Sequence, residues 1–209
     1  VDACSKCPTG KRGKLEGQAS ETDGCDVCVV GTSYQDQEGQ ASCKSGLCDP
    51  GKYATASSTA TSEPTCADCG KGKYNSAAGA TKSEQCTDCP VGTYGTNEVA
   101  VQADDCSKCD PGTANPSSGA TVSTACADCT AGRYQPTQGS ASCVACDAGT
   151  YGDQVKQTSV GTGTGDGCKK CAAGTYSGAS GLNGDCNKCP IGRFSATPGL
   201  TSVDACSKC

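Results

Sequence analysis

The chain has 209 residues, 22 of them Cys and 29 Gly, with no His, Met or Trp and a formal net charge of −5 at pH 7. Its four Leu, one Ile, twelve Val and one Phe make 18 residues in 209, under half of the roughly one-fifth that a globular core needs, so a Rossmann or TIM-barrel enzyme and a helix bundle are excluded. No apolar run approaches the ~20 residues of a membrane-spanning helix, and Lys and Arg stand singly rather than on the clustered basic face that nucleic acid requires.

Eleven cysteine pairs run along the chain. Cys4/Cys7 and Cys25/Cys28 open the series and Cys43/Cys48 is spaced C-x4-C. Eight C-x-x-C pairs follow: Cys66/Cys69, Cys86/Cys89, Cys106/Cys109, Cys126/Cys129, Cys143/Cys146, Cys168/Cys171, Cys186/Cys189 and Cys206/Cys209. The first cysteines of the pairs, Cys4 to Cys206, span 202 residues in ten steps of 17 to 25. A mean period of about 20 marks a tandem array. Cysteine at this density marks a disulfide scaffold made in an oxidising compartment.

Every step has the same body. A Gly stands three residues after the second Cys of each pair: Gly10, Gly31, Gly51, Gly72, Gly92, Gly112, Gly132, Gly149, Gly174 and Gly192. Two residues further on stands an aromatic at Tyr53, Tyr74, Tyr94, Tyr134, Tyr151, Tyr176 and Phe194, with Tyr34 one position late. These eight are all the aromatics of the chain, and Arg12 and Ala114 take the place in the two remaining steps. The spacing predicts a mini-core in each module, one ring stacked on one disulfide. The Gly predicts a positive φ or a close backbone approach, and the Gly-Thr-Tyr or Gly-Lys-Tyr triplet predicts a short strand leaving that turn.

A polar half completes each module, as at 79–86, 119–126 and 199–206, each opening on Gly and closing on Cys. It predicts a turn at the Gly and a second short strand returning to the Cys. No helical periodicity extends over eleven residues. The fold class is therefore small, disulfide-rich and all-β or irregular. About ten modules of ~20 residues stand in line as an extended rod, each touching only its neighbours.

The pattern C-x-x-C-x-x-G-T-Y, then a Ser/Thr-rich stretch, then C-x-x-C, resembles the ephrin-receptor-like cysteine-rich repeat, related in style to the first submodule of tumour-necrosis-factor-receptor repeats. The resemblance covers all ten steps, and loops 7–25 and 109–126 depart from it by lacking the ring. It implies that the Cys before the turn pairs with the first Cys of the next pair. Carried onto this chain, the bridges are Cys7–Cys25, Cys28–Cys43, Cys48–Cys66, Cys69–Cys86, Cys89–Cys106, Cys109–Cys126, Cys129–Cys143, Cys146–Cys168, Cys171–Cys186 and Cys189–Cys206. A bridge closing a loop of this size is worth about 3 kcal/mol in the chain-entropy model. Cys4 and Cys209 are left for partners outside the chain. The domain expectation is one continuous array over 1–209 with module loops 7–25, 28–43, 48–66, 69–86, 89–106, 109–126, 129–143, 146–168, 171–186 and 189–206. The first seven residues recur letter for letter at 203–209, and no charged-then-apolar leader opens the sequence. Both features lead to the expectation of a segment from a longer repetitive chain.

Other chemistry fits less well. Tandem C-x-x-C pairs can hold zinc, yet eleven pairs give five Cys4 sites and an orphan, without His. A redox C-x-x-C needs a helix N-terminus in a βαβ setting. Without His, general-base work would fall to Asp, Glu, Lys or Tyr, and the carboxylates read as solvated turn residues. Asp2, Asp23, Asp105, Asp166, Asp185 and Asp204 recur just before a Cys and suit calcium, but no D-x-[DN]-x-[DN]-G loop exists. The glycine run 161–167 superficially matches a phosphate loop but follows no long strand and opens no helix. No cofactor is expected. O-linked glycosylation is expected from 45 Ser and Thr, with Thr61, Thr65, Ser117, Ser118, Thr121 and Thr197 as candidates. The function read from the sequence is structural and non-enzymatic: a disulfide-stapled stretch of an extracellular filament or cell-surface coat. Its partners are copies of itself or flanking repeats, with no nucleic acid and no membrane span in this segment. The alternative is a ligand-binding receptor-type ectodomain or a protist surface antigen, but all eight aromatics are assigned to module cores, leaving no free hot spot.

Overall fold

The computed structural model describes residues 6–14, 18, 20–55, 58–159 and 167–209. Its building block is a turn fixed by a glycine. In Pro90-Val91-Gly92-Thr93 the Thr93 N–H donates to the Pro90 carbonyl at 3.2 Å, and Gly92 has φ 77°. A four-residue turn with positive φ at its third position is the type II arrangement, which only Gly enters at low cost. The ten glycines three residues past a Cys pair all share it, with φ between 76° and 87°. A Thr directly after the turn Gly braces the same turn. Its Oγ1 donates to the first turn carbonyl in Thr93→Pro90 at 2.7 Å, Thr113→Asp110 at 2.7 Å, Thr150→Asp147 at 2.6 Å and Thr175→Ala172 at 2.8 Å.

A strand of two or three residues leaves each turn and pairs antiparallel with one partner, giving ten two-stranded sheets among the described residues. Thr93–Tyr94 pairs with Ser107–Lys108, and Arg133–Tyr134 with Val144–Ala145. The longest pairs are Lys11–Gly13 with Cys25–Val27 and Lys52–Ala54 with Cys66–Asp68. The returning strand lies not before the first Cys, where the sequence placed it, but between the cysteines of each pair, beginning at the first Cys itself in Cys25–Val27 and Cys66–Asp68. The reason is local. In four modules the preceding residues form 3-10 turns, Ser83–Gln85, Ala103–Asp105, Ser123–Ala125 and Val203–Ala205. In two of these a side chain claims the backbone donors that a strand would use. Gln85 Oε1 accepts from the N–H of Thr81 at 2.7 Å and Lys82 at 3.1 Å, and Asp105 Oδ2 accepts from Val101 at 2.7 Å and Gln102 at 3.1 Å. The second Cys then closes the hairpin on the turn glycine, as in Cys109 N–H to Gly92 O at 2.9 Å and Cys129 N–H to Gly112 O at 2.8 Å. Among the described residues α-helix is confined to the single turn Glu21–Gly24, and no helix is long and apolar enough to cross a membrane.

The core is sulfur and amide rather than aromatic. Cys48, Cys89, Cys146 and Cys171 are completely buried, and the largest fully buried side chains are Gln157 and Asn115. The rings expected to lie in the module cores are not themselves among the buried side chains. Tyr34, Tyr53, Tyr74, Tyr94, Tyr134, Tyr151 and Tyr176 are only half-buried, and Phe194 is 53 % exposed. A hairpin with two residues per strand has too little surface to cover a ring on both faces.

The chain groups into two compact units, Val1–Cys89 with Gly95–Cys106, and Pro90–Tyr94 with Ser107–Cys209. Both are built from the same turn, hairpin and disulfide.

Candidate functional site at the module seam

Ten disulfides join consecutive Cys pairs: Cys7–Cys25, Cys28–Cys43, Cys48–Cys66, Cys69–Cys86, Cys89–Cys106, Cys109–Cys126, Cys129–Cys143, Cys146–Cys168, Cys171–Cys186 and Cys189–Cys206. Each closes a loop with its ends 14 to 22 positions apart. The loops are numbered modules 1 to 10 in chain order. Every C-x-x-C between two modules bonds one sulfur backward and one forward, so the joint is also the returning strand of the hairpin behind it. Cys209 is a free, exposed thiol, and Cys4 lies outside the described residues.

The modules are also sewn together by backbone. The N–H of the turn glycine donates to the residue just past the ring position in the next module: Gly10 to Gln35 at 2.7 Å, Gly51 to Asn75 at 2.8 Å, Gly92 to Asn115 at 2.7 Å, Gly112 to Gln135 at 2.7 Å and Gly149 to Ser177 at 2.8 Å. The acceptor residue passes the relay on. Gln35 N–H donates to Ala60 O, Asn75 to Ala100, Asn115 to Ser140, Gln135 to Gln157 and Ser177 to Leu200, all at 2.8–3.1 Å. A second bond runs the other way, from the polar-half turn to the Cys that opens the preceding module: Gly39 to Cys7 O, Gly79 to Cys48 O, Gly139 to Cys109 O, Lys156 to Cys129 O, Gly181 to Cys146 O and Gly199 to Cys171 O, at 2.7–2.9 Å.

Buried amides stand at this seam, and the Asn115 side chain crosses it. Asn115, 2 % exposed, donates from Nδ2 to Thr93 O at 2.9 Å in the preceding module and accepts from Ser117 N–H at 3.0 Å. Gln135 Nε2 donates to Ser142 O at 2.7 Å, and its Oε1 accepts from Thr137 N–H at 3.1 Å. Gln35 makes the same pair with Ser42 O and Gln37 N–H. Each of these amides is satisfied at both ends, as a buried polar group must be. Gln157 is the departure among the described residues. Its Nε2 donates to Gly167 O at 3.2 Å, but its buried Oε1 has no partner. These residues escaped the sequence reading because Asn and Gln in a polar repeat look like loop. The available signal was positional: the residue after the ring is an amide or small in every module that has one.

Contacts also reach past the nearest neighbour, contrary to expectation. A Cβ placed on Gly149 of module 8 would stand 2.5 Å from the Gly199 carbonyl oxygen of module 10. Gly132 faces Gly181 O and Gly112 faces Lys156 O in the same way, two modules on. At Gly92, Gly112, Gly132 and Gly149 the turn glycine is thus required twice, once for its φ and once because backbone from the second following module occupies the place of a side chain.

The surface is lightly charged. Lys52–Asp68 at 2.6 Å and Lys73–Asp88 at 2.5 Å pair across their hairpins. The Lys44 ammonium, hydrogen-bonded to Asp36, holds that carboxyl below its ordinary value, and Asp36 raises Lys44 in return. Lys169 lowers Asp153 likewise. Such exposed pairs contribute little. Thr61, Thr65, Ser117, Ser118, Thr121 and Thr197 are all exposed. Of the aspartates weighed for calcium, Asp105 spends its carboxylate on the 101–102 backbone. Asp185 and Asp204 are exposed, while Asp2, Asp166 and the side chain of Asp23 lie outside the described residues, as does most of the 161–167 glycine run.

The family model described as tyrosine-protein kinase ephrin type A/B receptor-like matches residues 121–162 and 158–206. No curated protein matches the chain.

Proposed function

Taking 121–206 as ephrin-receptor-like cysteine-rich repeats within an array that keeps one module plan, we propose that the chain is a covalently stapled stretch of an extracellular filament or cell-surface coat, without catalytic activity. Ten disulfides belong to an oxidising compartment, such as the cell exterior. The observation that carries the reading is the seam. Each joint bonds one sulfur backward and one forward, while the turn amides bond ahead to the next module and the polar-half turns bond back. Such a chain stays cross-linked when one module opens. The exposed Cys209 thiol is available for a bridge to a flanking repeat or to a copy of the chain. The exposed Ser and Thr of the polar halves, Thr61, Thr65, Ser117, Ser118, Thr121 and Thr197, would carry O-glycans over the outside of the array.

Negative-stain imaging of the native material tests the proposal. Continuous linear density with a repeat set by the array is expected. A compact monomer with a free Cys209 thiol would defeat the filament reading and promote the ectodomain one.

A further inference from the structure

We propose that a surface cavity formed by the hairpin of module 5 and the loops of modules 6 and 8 binds one acidic sugar residue, a uronic acid. The cavity has a volume of about 210 Å³ and is lined by Tyr94, Lys108, Asp110, Thr113, Ser123 and Lys156, all within the second unit. That is smaller than the roughly 300–1,000 Å³ of drug-sized ligand sites and suits a single pyranose ring.

Lys156 is where the array breaks its own rule. Five other modules put Gly39, Gly79, Gly139, Gly181 or Gly199 at this turn, and each donates its N–H to the Cys that opens the module before, as Lys156 does to Cys129. Those glycines have φ between 69° and 80°, and Lys156 follows them at 59°, the one non-glycine with positive φ among the described residues. Left-handed backbone is costly for a lysine, and strain of this kind marks positions kept for what the side chain does. Asp128 stands 3.4 Å from the Lys156 ammonium, but both side chains are more than half exposed, so the charge stays open to a ligand. The second ammonium is Lys108. Its stem lies against the Gly139 turn, with Cδ 3.4 Å from where a Cβ there would stand. It makes no ion pair among the described residues.

Lys108, which makes no ion pair among the described residues, and Lys156, whose pair with Asp128 is exposed, together favour a carboxylate over a neutral ligand. Tyr94 offers a ring to the C–H face of a sugar, while Ser123 and the Asp110 carboxylate offer partners to its hydroxyls. A neutral sugar would leave the two lysines unused, and a simple dicarboxylic acid would leave the ring and hydroxyl partners unused. The proposal stands independently of the filament reading.

The test is an NMR titration of the intact 209-residue chain with methyl glucuronide, using methyl glucoside and N-acetylglutamate as controls. Glucuronide should shift the amides of Tyr94, Lys108, Ser123 and Lys156, and neither control should match it. Lys156→Gly should weaken binding about tenfold or more while melting no lower than the parent, because glycine is the residue of the sister turns. Lys108→Gln, on the exposed hairpin, should weaken it similarly. No glucuronide shifts at these residues, undiminished binding by Lys156→Gly and Lys108→Gln, or equal binding of either control would overturn the proposal.

Discussion

At the scale of single residues, the turn glycine carries more than any ring. Gly149→Ala places a side chain at φ 81° and against the Gly199 carbonyl. The left-handed backbone alone costs about 1–2 kcal/mol, and the clash adds to it, so a loss above about 2 kcal/mol is expected. Tyr134→Ala removes a half-buried ring and should cost less, about 1–2 kcal/mol. Native-state hydrogen exchange on the two variants checks the order, and a larger loss for Tyr134→Ala would restore the aromatic-core view. The glycine was legible in the sequence because its spacing never varies. The ring's place was legible too, but not its burial, which depends on how little surface a two-residue hairpin offers. Asn115 and Gln135 were illegible as core, because nothing in one polar residue tells a solvated loop from a satisfied buried amide.

At the scale of the element, a hairpin and its seam form one unit. The C-x-x-C that joins two modules is also a strand, and that followed from no local propensity. It follows from Gln85 and Asp105 capping the turn before it and from the second Cys bonding back to the turn glycine. Gln135→Leu keeps the volume but leaves Ser142 O and Thr137 N–H without their partner. It should cost about 1–3 kcal/mol, with lost exchange protection confined to modules 6 to 8; loss of protection in module 10 would contradict the local seam. The response to pH is set by a few surface pairs. Asp36 and Asp153 have lowered values in the folded chain, so their contribution is present above the ordinary Asp value of about 3.9 and is lost as pH falls through the lower folded value. Lys44 is raised, so its contribution is lost only as pH rises past the ordinary Lys value of about 10.4. Melting temperature should be flat from about pH 5 to 9 and fall slightly on either side. A steep loss between pH 5 and 7 would mean that titrating groups, rather than backbone and disulfides, hold the array.

At the scale of the whole molecule, the period in the sequence foretold the array, but not its second-neighbour contacts. Repetition shows that modules are alike, whereas only folded geometry brings Gly132 to Gly181 and Gly149 to Gly199. Opening one module therefore disturbs the one two steps on. The central claim is that consecutive Cys pairs, not the two cysteines within a C-x-x-C, carry the chain from end to end. Single-molecule stretching before and after reduction tests it most directly. The ten loops lock 170 residue steps, so at about 3.4 Å per residue, less the 5.5–6.0 Å that each bridge already spans, reduction should lengthen the stretched chain by roughly 520 Å. Bridges within each C-x-x-C would lock about three steps apiece and release only about 50 Å in total, and a gain of that size would contradict the account.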